Sequence, residues 1–326
     1  MDQILFVDEI IHALKEEGYA IASMGLYDPR YWVKSSFDIA ARKDFLLMIK
    51  IVLNIDKIPA ELIEDLKLIA YFFNATPLVI GKETRKAQLR DDVVYERRNI
   101  PAMNLTTFKN LLKNNQIYVI SRKGGFYTKV DKDKIHDLRL ERGLSLQEVA
   151  SQLEVSRKAV YLFERMNQIK EENALQLERL FKQSLRLPVD VFNWEIEKEE
   201  FHPSVEETDF QAEIKELFEN LGCNIYWAKK APFDAITSEI EETKVKSEES
   251  CLITGLSLSR RMAIYNRLQL ISEISKVARK LSMFIIEDGK LPAIDNVLVL
   301  QKAILEKMKD IKELYEKLKK IKQVFY

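Results

Sequence analysis

The chain has 326 residues and a mass of 38.1 kDa, room for two or three domains at about 100–200 residues each. With 47% hydrophobic and 31% charged residues against only 9 glycines and 8 prolines, it is neither a disordered nor a collagen-like polymer. Lysine plus arginine equals aspartate plus glutamate at 51 each, so overall charge offers no argument for a nucleic-acid partner.

Two cysteines, Cys223 and Cys251, and three histidines, His12, His136 and His202, set out neither a disulfide framework nor a zinc pattern. No stretch approaches the ~18 uninterrupted apolar residues of a membrane span, and the amino terminus lacks a cationic leader. The expectation is a cytoplasmic protein with no membrane contact.

Ile4, Val7, Ile10, Ile11 and Leu14 have helical spacing and predict a first helix that ends at Gly18, after which YAIASMG predicts a strand. FLLMIKIV and PLVIG read as buried strands on either side of the helix IPAELIEDLKLIAYFFNA, and IPAMNLTTFKNLLKN as a strand entering a helix. Strands separated by helices predict an α/β layer with parallel pairing. QIYVISRKGGFYTKVD predicts a β-hairpin turning at Lys123-Gly124-Gly125, where paired glycines supply the positive φ such turns need.

Charge is uneven along this region. Residues 81–130 carry 11 basic and 4 acidic side chains, and the run from Lys109 through Lys113, Arg122 and Lys123 to Lys129 contains no acid. Lys109, Lys113, Arg122 and Lys123 are therefore candidate phosphate contacts; the plainer alternative is a solvated surface.

From Lys132 the pattern becomes helical. Gly143 closes one helix; Ser145, with Glu148 three residues on, forms a capping box ahead of LQEVASQL; Ser156 caps RKAVYLFER. Two short helices joined by a three- or four-residue turn are the helix-turn-helix arrangement, whose second helix enters the major groove. At 100° per residue, Ala159, Val160 and Phe163 fall on the core side, while Lys158, Tyr161, Leu162 and Arg165 fall opposite, with Arg157 at the edge. Arginine and lysine can donate to guanine O6 and N7, Tyr161 can bond phosphate or base edges, and Leu162 can cover a thymine methyl. Ser145, Gln147 and Ser156 stand at helix starts, where backbone N–H groups favour phosphate.

Leu138-Arg139, Gly143-Leu144-Ser145, Val149-Ala150, Leu153, Val155-Ser156-Arg157, Val160 and Glu164 resemble the Cro and phage-repressor-like helix-turn-helix family. The resemblance implies that Arg139 and Glu164 pair internally. Leu146 and Met166 depart from it, standing where the family commonly has glutamine and glycine. The segment 131–190 carries 11 basic and 11 acidic residues, so binding calls for a dimer or the neighbouring basic run.

After residue 212 the order of the first module returns. AEIKELFENLGCNIYW answers the first helix and strand, Phe233-Asp234-Ala235 answers Phe37-Asp38-Ile39, SCLITGLSL answers FLLMIKIVL, and Leu291-Pro292-Ala293 answers Ile100-Pro101-Ala102. The second copy carries an acidic insertion, SEIEETKVKSEES, read as an exposed, mobile loop. NVLVLQKAILEKMKDIKELYEKLKKIKQVFY reads as one long helix with Val297, Ile304, Ile311, Leu318 and Phe325 seven apart.

Asp38, the strand after it and Lys50 twelve residues downstream resemble the restriction-endonuclease-like fold and its PD-(D/E)-x-K signature, in which two acids hold a divalent metal and the lysine polarises the attacking water. Met48 replaces the second acid, and the second copy keeps Asp234 but has Thr254-Gly255 in the lysine region. Asp38, Lys50 and Asp234 are thus vestigial nuclease positions, and no metal or other cofactor is expected. End to end, with FDIAARKD, PLVIG, KGGFYTKVD, RGLSLQEVA, VSRKAVYLFER and LPVDVF, the chain resembles an archaeal family of helix-turn-helix transcriptional regulators.

The expected fold class is α/β and all-α multidomain: two restriction-endonuclease-like α/β modules flanking a helical Cro/repressor-like domain. The expected domains are 1–118, a hairpin connector at 119–130, the helix-turn-helix at 131–190, and 205–326 with the long terminal helix. The expected function is non-enzymatic: a homodimeric regulator binding double-stranded DNA. The rivals are a metal-dependent nuclease and an antitoxin-like interaction protein; the operator and any small-molecule effector stay open.

Overall fold

In the computed structural model, α1 (Asp2–Glu16) buries Phe6, Val7, Ile10, Ala13 and Leu14 along one face and leaves Ile4 exposed. Gly18, with φ +80°, takes a left-handed turn that other residues adopt only with strain. The structure describes residues 2–23, 34–194, 196, 208–239, 251–257, 262–289, 291 and 294–324. They fall into two units, one of residues 1–52, 57–79 and 194–326, the other of residues 53–56 and 80–193.

In the first unit, β1 (Ala20–Ser23), β2 (Ile39–Arg42) and β3 (Leu46–Ile51) form an antiparallel meander. After α2 (Ala60–Phe73) comes β4 (Ala75–Ile80), next to β3 in the sheet. Leu46 to Ile51 are buried at every position, as a strand covered on both faces requires. The α2 helix is also buried almost all round, from Leu62 to Phe73. Asn74 closes it in the left-handed region, at φ +49°.

The second unit begins with β5 (Val93–Arg97) and β6 (Ile100–Met103), antiparallel about Arg98 and Asn99, both at positive φ. Asn104 caps α3 (Leu105–Leu112), its side chain accepting from Thr107 N at 2.9 Å. A hairpin of β7 (Val119–Arg122) and β8 (Gly125–Val130) follows, then α4 (Lys132–Glu141), α5 (Leu146–Leu153), α6 (Arg157–Phe163), β9 (Gln168–Lys170), α7 (Glu171–Phe181) and β10 (Arg186–Leu187). The strands run in the order β6-β5-β7-β8-β10, with β9 also paired to β8. Val130, Ile135, Val149, Ala150, Leu153, Val160, Phe163, Ile169 and Phe181 make the core beneath the helices.

The chain returns to the first unit with α8 (Asp209–Asn220), β11 (Cys223–Trp227), β12 (Ala235–Glu239), β13 (Cys251–Ser257), α9 (Met262–Ala278), β14 (Leu281–Ile286) and β15 (Leu298–Gln301). The order helix, three strands, helix, strand is thus written twice. The repeat extends to hydrogen bonds: Asp38 N donates to Ile49 O and Asp234 N to Thr254 O, while Asp38 accepts from Ile51 N and Asp234 from Leu256 N.

The halves of this unit exchange helix ends. The α9 helix lies against β1 and β2, and Arg42 donates from Nε to Val277 O at 2.7 Å and from Nη2 to Ala278 O at 3.0 Å, satisfying carbonyls that a last helical turn leaves open. In the other direction, Cys251 Sγ donates to Phe72 O, and the rings of Tyr226 and Phe233 pack on Phe72 and Phe73. Lys230 N donates to Asp65 Oδ2 at 2.6 Å, and Ser36 N to Lys230 O at 2.9 Å.

Four expectations need correction. Pairing is mixed: β1-β2-β3 and β11-β12-β13 are antiparallel, whereas β13 and β14, which α9 separates, are parallel as expected, as are β14-β15 and β5-β7. The strand answering Ile100–Met103 is β15, downstream of residues 291–295. The terminal segment is not one helix. Residues 298–301 pair with β14, a short helix α10 (Lys302–Leu305) follows, and α11 (Ile311–Val324) starts afresh with Ile311, Leu314 and Leu318 on the core. Alternating burial at Leu298, Val299, Leu300 and Gln301 favours the strand, and Ile304 of the supposed seam is exposed. Of the acidic insertion at 238–250, Ser238 and Glu239 end β12, with Ser238 buried rather than in an exposed loop; residues 240–250 and Phe325 lie outside the described residues.

Candidate nucleic-acid interface

Asp131 starts α4 by accepting from Lys134 N at 3.0 Å. The capping box of α5 is closed both ways: Glu148 N donates to Ser145 Oγ at 3.2 Å and Ser145 N to Glu148 Oε2 at 2.7 Å. Glu154, at φ +56°, turns the chain, and Ser156 starts α6 by accepting from Ala159 N at 3.1 Å. Three residues thus separate α5 from α6.

Val160 and Phe163 of α6 are buried, and Ala159 packs at the core's edge. On the opposite side Arg157, Lys158, Tyr161, Leu162 and Arg165 are exposed, Tyr161 by 43% and Leu162 by 38%. The Arg165 guanidinium stacks 3.7 Å from the centre of the Tyr161 ring, making a flat, charged plate. Among the described residues, neither Arg157 nor Lys158 forms a salt bridge, so both charges face solvent.

One polar cluster holds α6 against α4. Arg139 donates from Nε to Glu164 Oε1, from Nη2 to Oε2 at 3.1 Å, and from Nη1 to Leu144 O at 3.0 Å; His136 Nδ1 lies 2.7 Å from Oε2. Burial raises the Glu164 pKa, but the Arg139 fork and His136 outweigh it and hold the carboxyl below its ordinary range. Ser145 and Gln147 are exposed, Ser145 engaged in its cap and Gln147 with its amide 3.5 Å from Ser151 Oγ. Lys109, Lys113 and Lys123 are exposed. Arg122 is braced instead: Nε donates to Glu96 Oε2 at 2.8 Å and Nη1 to Gln168 Oε1 at 2.8 Å.

Asp38, Lys50 and Asp234, the positions that resemble the PD-(D/E)-x-K signature, lie in closed clusters. Asp38 and Lys50 are buried, with Lys50 Nζ 3.1 Å from Oδ1 while Ile51 N donates to Oδ2 at 2.6 Å. Burial pushes the Asp38 carboxyl up to about 6, against the pull of Lys50 and the Ile51 N–H. Met48 puts a thioether where a second carboxylate is needed, and no group of three or more His, Cys, Asp or Glu residues suited to a metal occurs among the described residues. These residues do not fit a divalent metal.

In the second copy Gly255 stands in the place of Lys50, with Phe284 packed where a Cβ would go. The cation comes instead from α9: Arg267 Nη2 donates to Asp234 Oδ2 at 2.6 Å, Nε to Pro232 O and Nη1 to Leu256 O. No sequence spacing signals this replacement, because Arg267 reaches Asp234 only through the packing of α9.

Residues 3–117 match the PD-(D/E)XK superfamily domain. A protein of Thermococcus kodakarensis is 32% identical over 99% of this chain and 98% of its own length. Relatives in Pyrococcus horikoshii, at 34% over 88% of this chain and 90% of theirs, and in Methanocaldococcus jannaschii, at 30% over 88% and 89%, are comparably similar. All three carry the provisional name HTH-type transcriptional regulatory protein. The chain belongs to this family. Its resemblance to archaeal regulators, read above from scattered motifs, therefore extends along the chain. No solved structure matches it, and no described helix is long and apolar enough to cross a membrane.

Proposed function

We propose that the protein is a sequence-specific transcriptional regulator that binds double-stranded DNA as a homodimer, with the helix Ser156–Arg165 in the major groove. The observation that carries this reading is the division of α6 into a core face and an exposed face of Arg157, Lys158, Tyr161, Leu162 and Arg165. Arg157 and Lys158 donate to base edges or phosphates, Tyr161 and Arg165 form a plate against the backbone, and Leu162 covers a thymine methyl. Ser145, Gln147 and Ser156 face phosphates at helix starts, with Lys109, Lys113 and Lys123 adding contacts outside the groove. Each chain carries one such helix, so reading a pseudo-palindromic site takes two chains about one duplex turn apart. The names of the relatives support the same role.

Residues 1–118 and 205–326 serve as degenerate nuclease-like scaffolds, without catalysis or cofactor, in a cytoplasmic protein. The PD-(D/E)XK match, with Asp38 and Lys50 both present, keeps one competing reading specific. Magnesium-dependent DNA cleavage by the purified protein, abolished by Asp38→Ala, would establish it.

The test of the main reading selects a cognate duplex from a random pool and measures binding. Arg157→Ala and Lys158→Ala each weaken it by about 1–3 kcal/mol per lost base contact while leaving thermal unfolding unchanged. Wild-type affinity in both variants refutes the groove assignment, and a monomeric mass at equilibrium, with and without the duplex, refutes the dimer.

A further inference from the structure

The ribbon of β7, β8 and β9 has two faces, which its register assigns residue by residue. Ser121 stands opposite Phe126 and Arg122 opposite Gly125; Tyr127 stands opposite Lys170, Thr128 opposite Ile169 and Lys129 opposite Gln168. Because side chains alternate, Ser121, Phe126, Thr128, Val130 and Ile169 share one face, which is mostly buried. Ile120, Arg122, Tyr127, Lys129, Gln168 and Lys170 share the other, with Leu187 of β10 opposite Lys129; Ile120 is buried, and the polar residues and Leu187 surround it. Lys129 and Lys170 are exposed there, Tyr127 is half-buried, and the strands VISR, GFYTKV and QIK contain no acid.

The cations on this face differ in availability. Arg122 is braced by Glu96 and Gln168. Lys123, in the turn, and Lys129 form no salt bridge among the described residues. Lys170 lies 3.8 Å from Glu172 with both side chains exposed, a pairing weak enough for a phosphate to displace. Gly124 has φ +101°, and a Cβ there would come within 2.8 Å of the Tyr127 hydroxyl, so the ring reaches back to the turn and holds its donor at the tip.

The ribbon is tied to the end of α6. Val130 N donates to Asn167 O at 3.0 Å, four residues beyond Phe163, and β8 then extends six residues, roughly 20 Å at 3.3 Å each, to the turn. That is more than half of the ~34 Å of one duplex turn, long enough to carry the turn away from α6 along a bound duplex.

We infer that this face is a second DNA contact, a phosphate track on which Lys123, Lys129 and Lys170 neutralise backbone oxygens and the Tyr127 hydroxyl donates a hydrogen bond. It rests on the reading of the protein as DNA-binding, and deepens it by separating sequence-independent grip on the ribbon from base reading on α6.

The test uses the full chain, a fluorescein-labelled mixed-sequence duplex and a potassium chloride series. Each phosphate contact contributes about 0.9 to the slope of log affinity on log salt, so Lys123→Ala/Lys129→Ala/Lys170→Ala together make it shallower by roughly 2.7. Melting temperature and preference among duplex sequences stay as in the wild type. A wild-type slope in the triple variant overturns the inference, and if Arg157→Ala/Lys158→Ala weakens binding in the same assay, the groove assignment survives alone. A shallower slope in the triple variant beside wild-type binding in the groove variant supports the ribbon and retires the groove. A wild-type chain that binds no duplex retires both.

Discussion

Arg139 and Glu164 can be mistaken for DNA contacts because they flank α5 and α6 in the chain, yet their charges are spent on each other. Arg139→Ala leaves a buried carboxylate facing only His136, and thermal unfolding should fall by about 3 kcal/mol, ahead of any change in base preference. Glu164 titrates below its ordinary range, so its contribution is fully present above the unfolded value near 4.3 and is lost as pH falls through the folded one. Asp38 has the opposite sign. Raised to about 6, it favours the folded state below about 3.9 and less as pH rises through 6. Asp38→Asn combined with Lys50→Met should flatten that dependence in urea titrations and be neutral or stabilising, whereas Asp38→Ala alone, removing the carboxylate beside the buried Lys50 ammonium, costs about 3–5 kcal/mol. Gly255→Ala forces a methyl into the Phe284 ring and should cost about 1–3 kcal/mol, largely recovered in the double variant with Phe284→Leu.

At the level of single elements, legibility in the sequence followed locality. The caps at Ser145 and Ser156 and the core stripe of α6 depend on residues three or four apart, and the structure contains them as read. Ser156→Ala should therefore cost about 1 kcal/mol and fray the first turn of α6, which amide exchange at Ala159 and Val160 reports. The terminal segment failed for the complementary reason. Its sevenfold apolar spacing suits a helix, but parallel pairing with β14, 15 residues upstream, takes residues 298–301 into the sheet, and the spacing within the segment does not announce that partner. The basic run 109–129 was visible, but not that Arg122 is braced while Lys129 and Lys170 share an exposed face; that needed the register of β8.

Across the whole chain, the repeat matters because its halves complete one another. Arg42 closes the last turn of α9, and Tyr226 and Phe233 cover Phe72 and Phe73. Neither half should hold its fold alone. A chain ending at residue 193 exposes the faces of β1, β2 and α2 that the second half covers, and should lose cooperative unfolding in residues 1–79 and bind a hydrophobic dye. A separate cooperative melt of residues 1–79 in that fragment would show the exchange to be dispensable.

The order of residues was enough to establish two short capped helices, the two faces of the second and a recurring order of elements, because each rests on chemistry within a turn or two or on recurrence along the chain. Tertiary structure alone decided that Arg267 replaces Lys50 as the cation beside the second aspartate, that Asp38 is sealed against its lysine, and that the ends of the two helices are exchanged. Those outcomes come from groups 12 to 236 positions apart meeting in a low-dielectric interior. There an unpaired charge or carbonyl is so unfavourable that whichever partner the packing brings near must satisfy it.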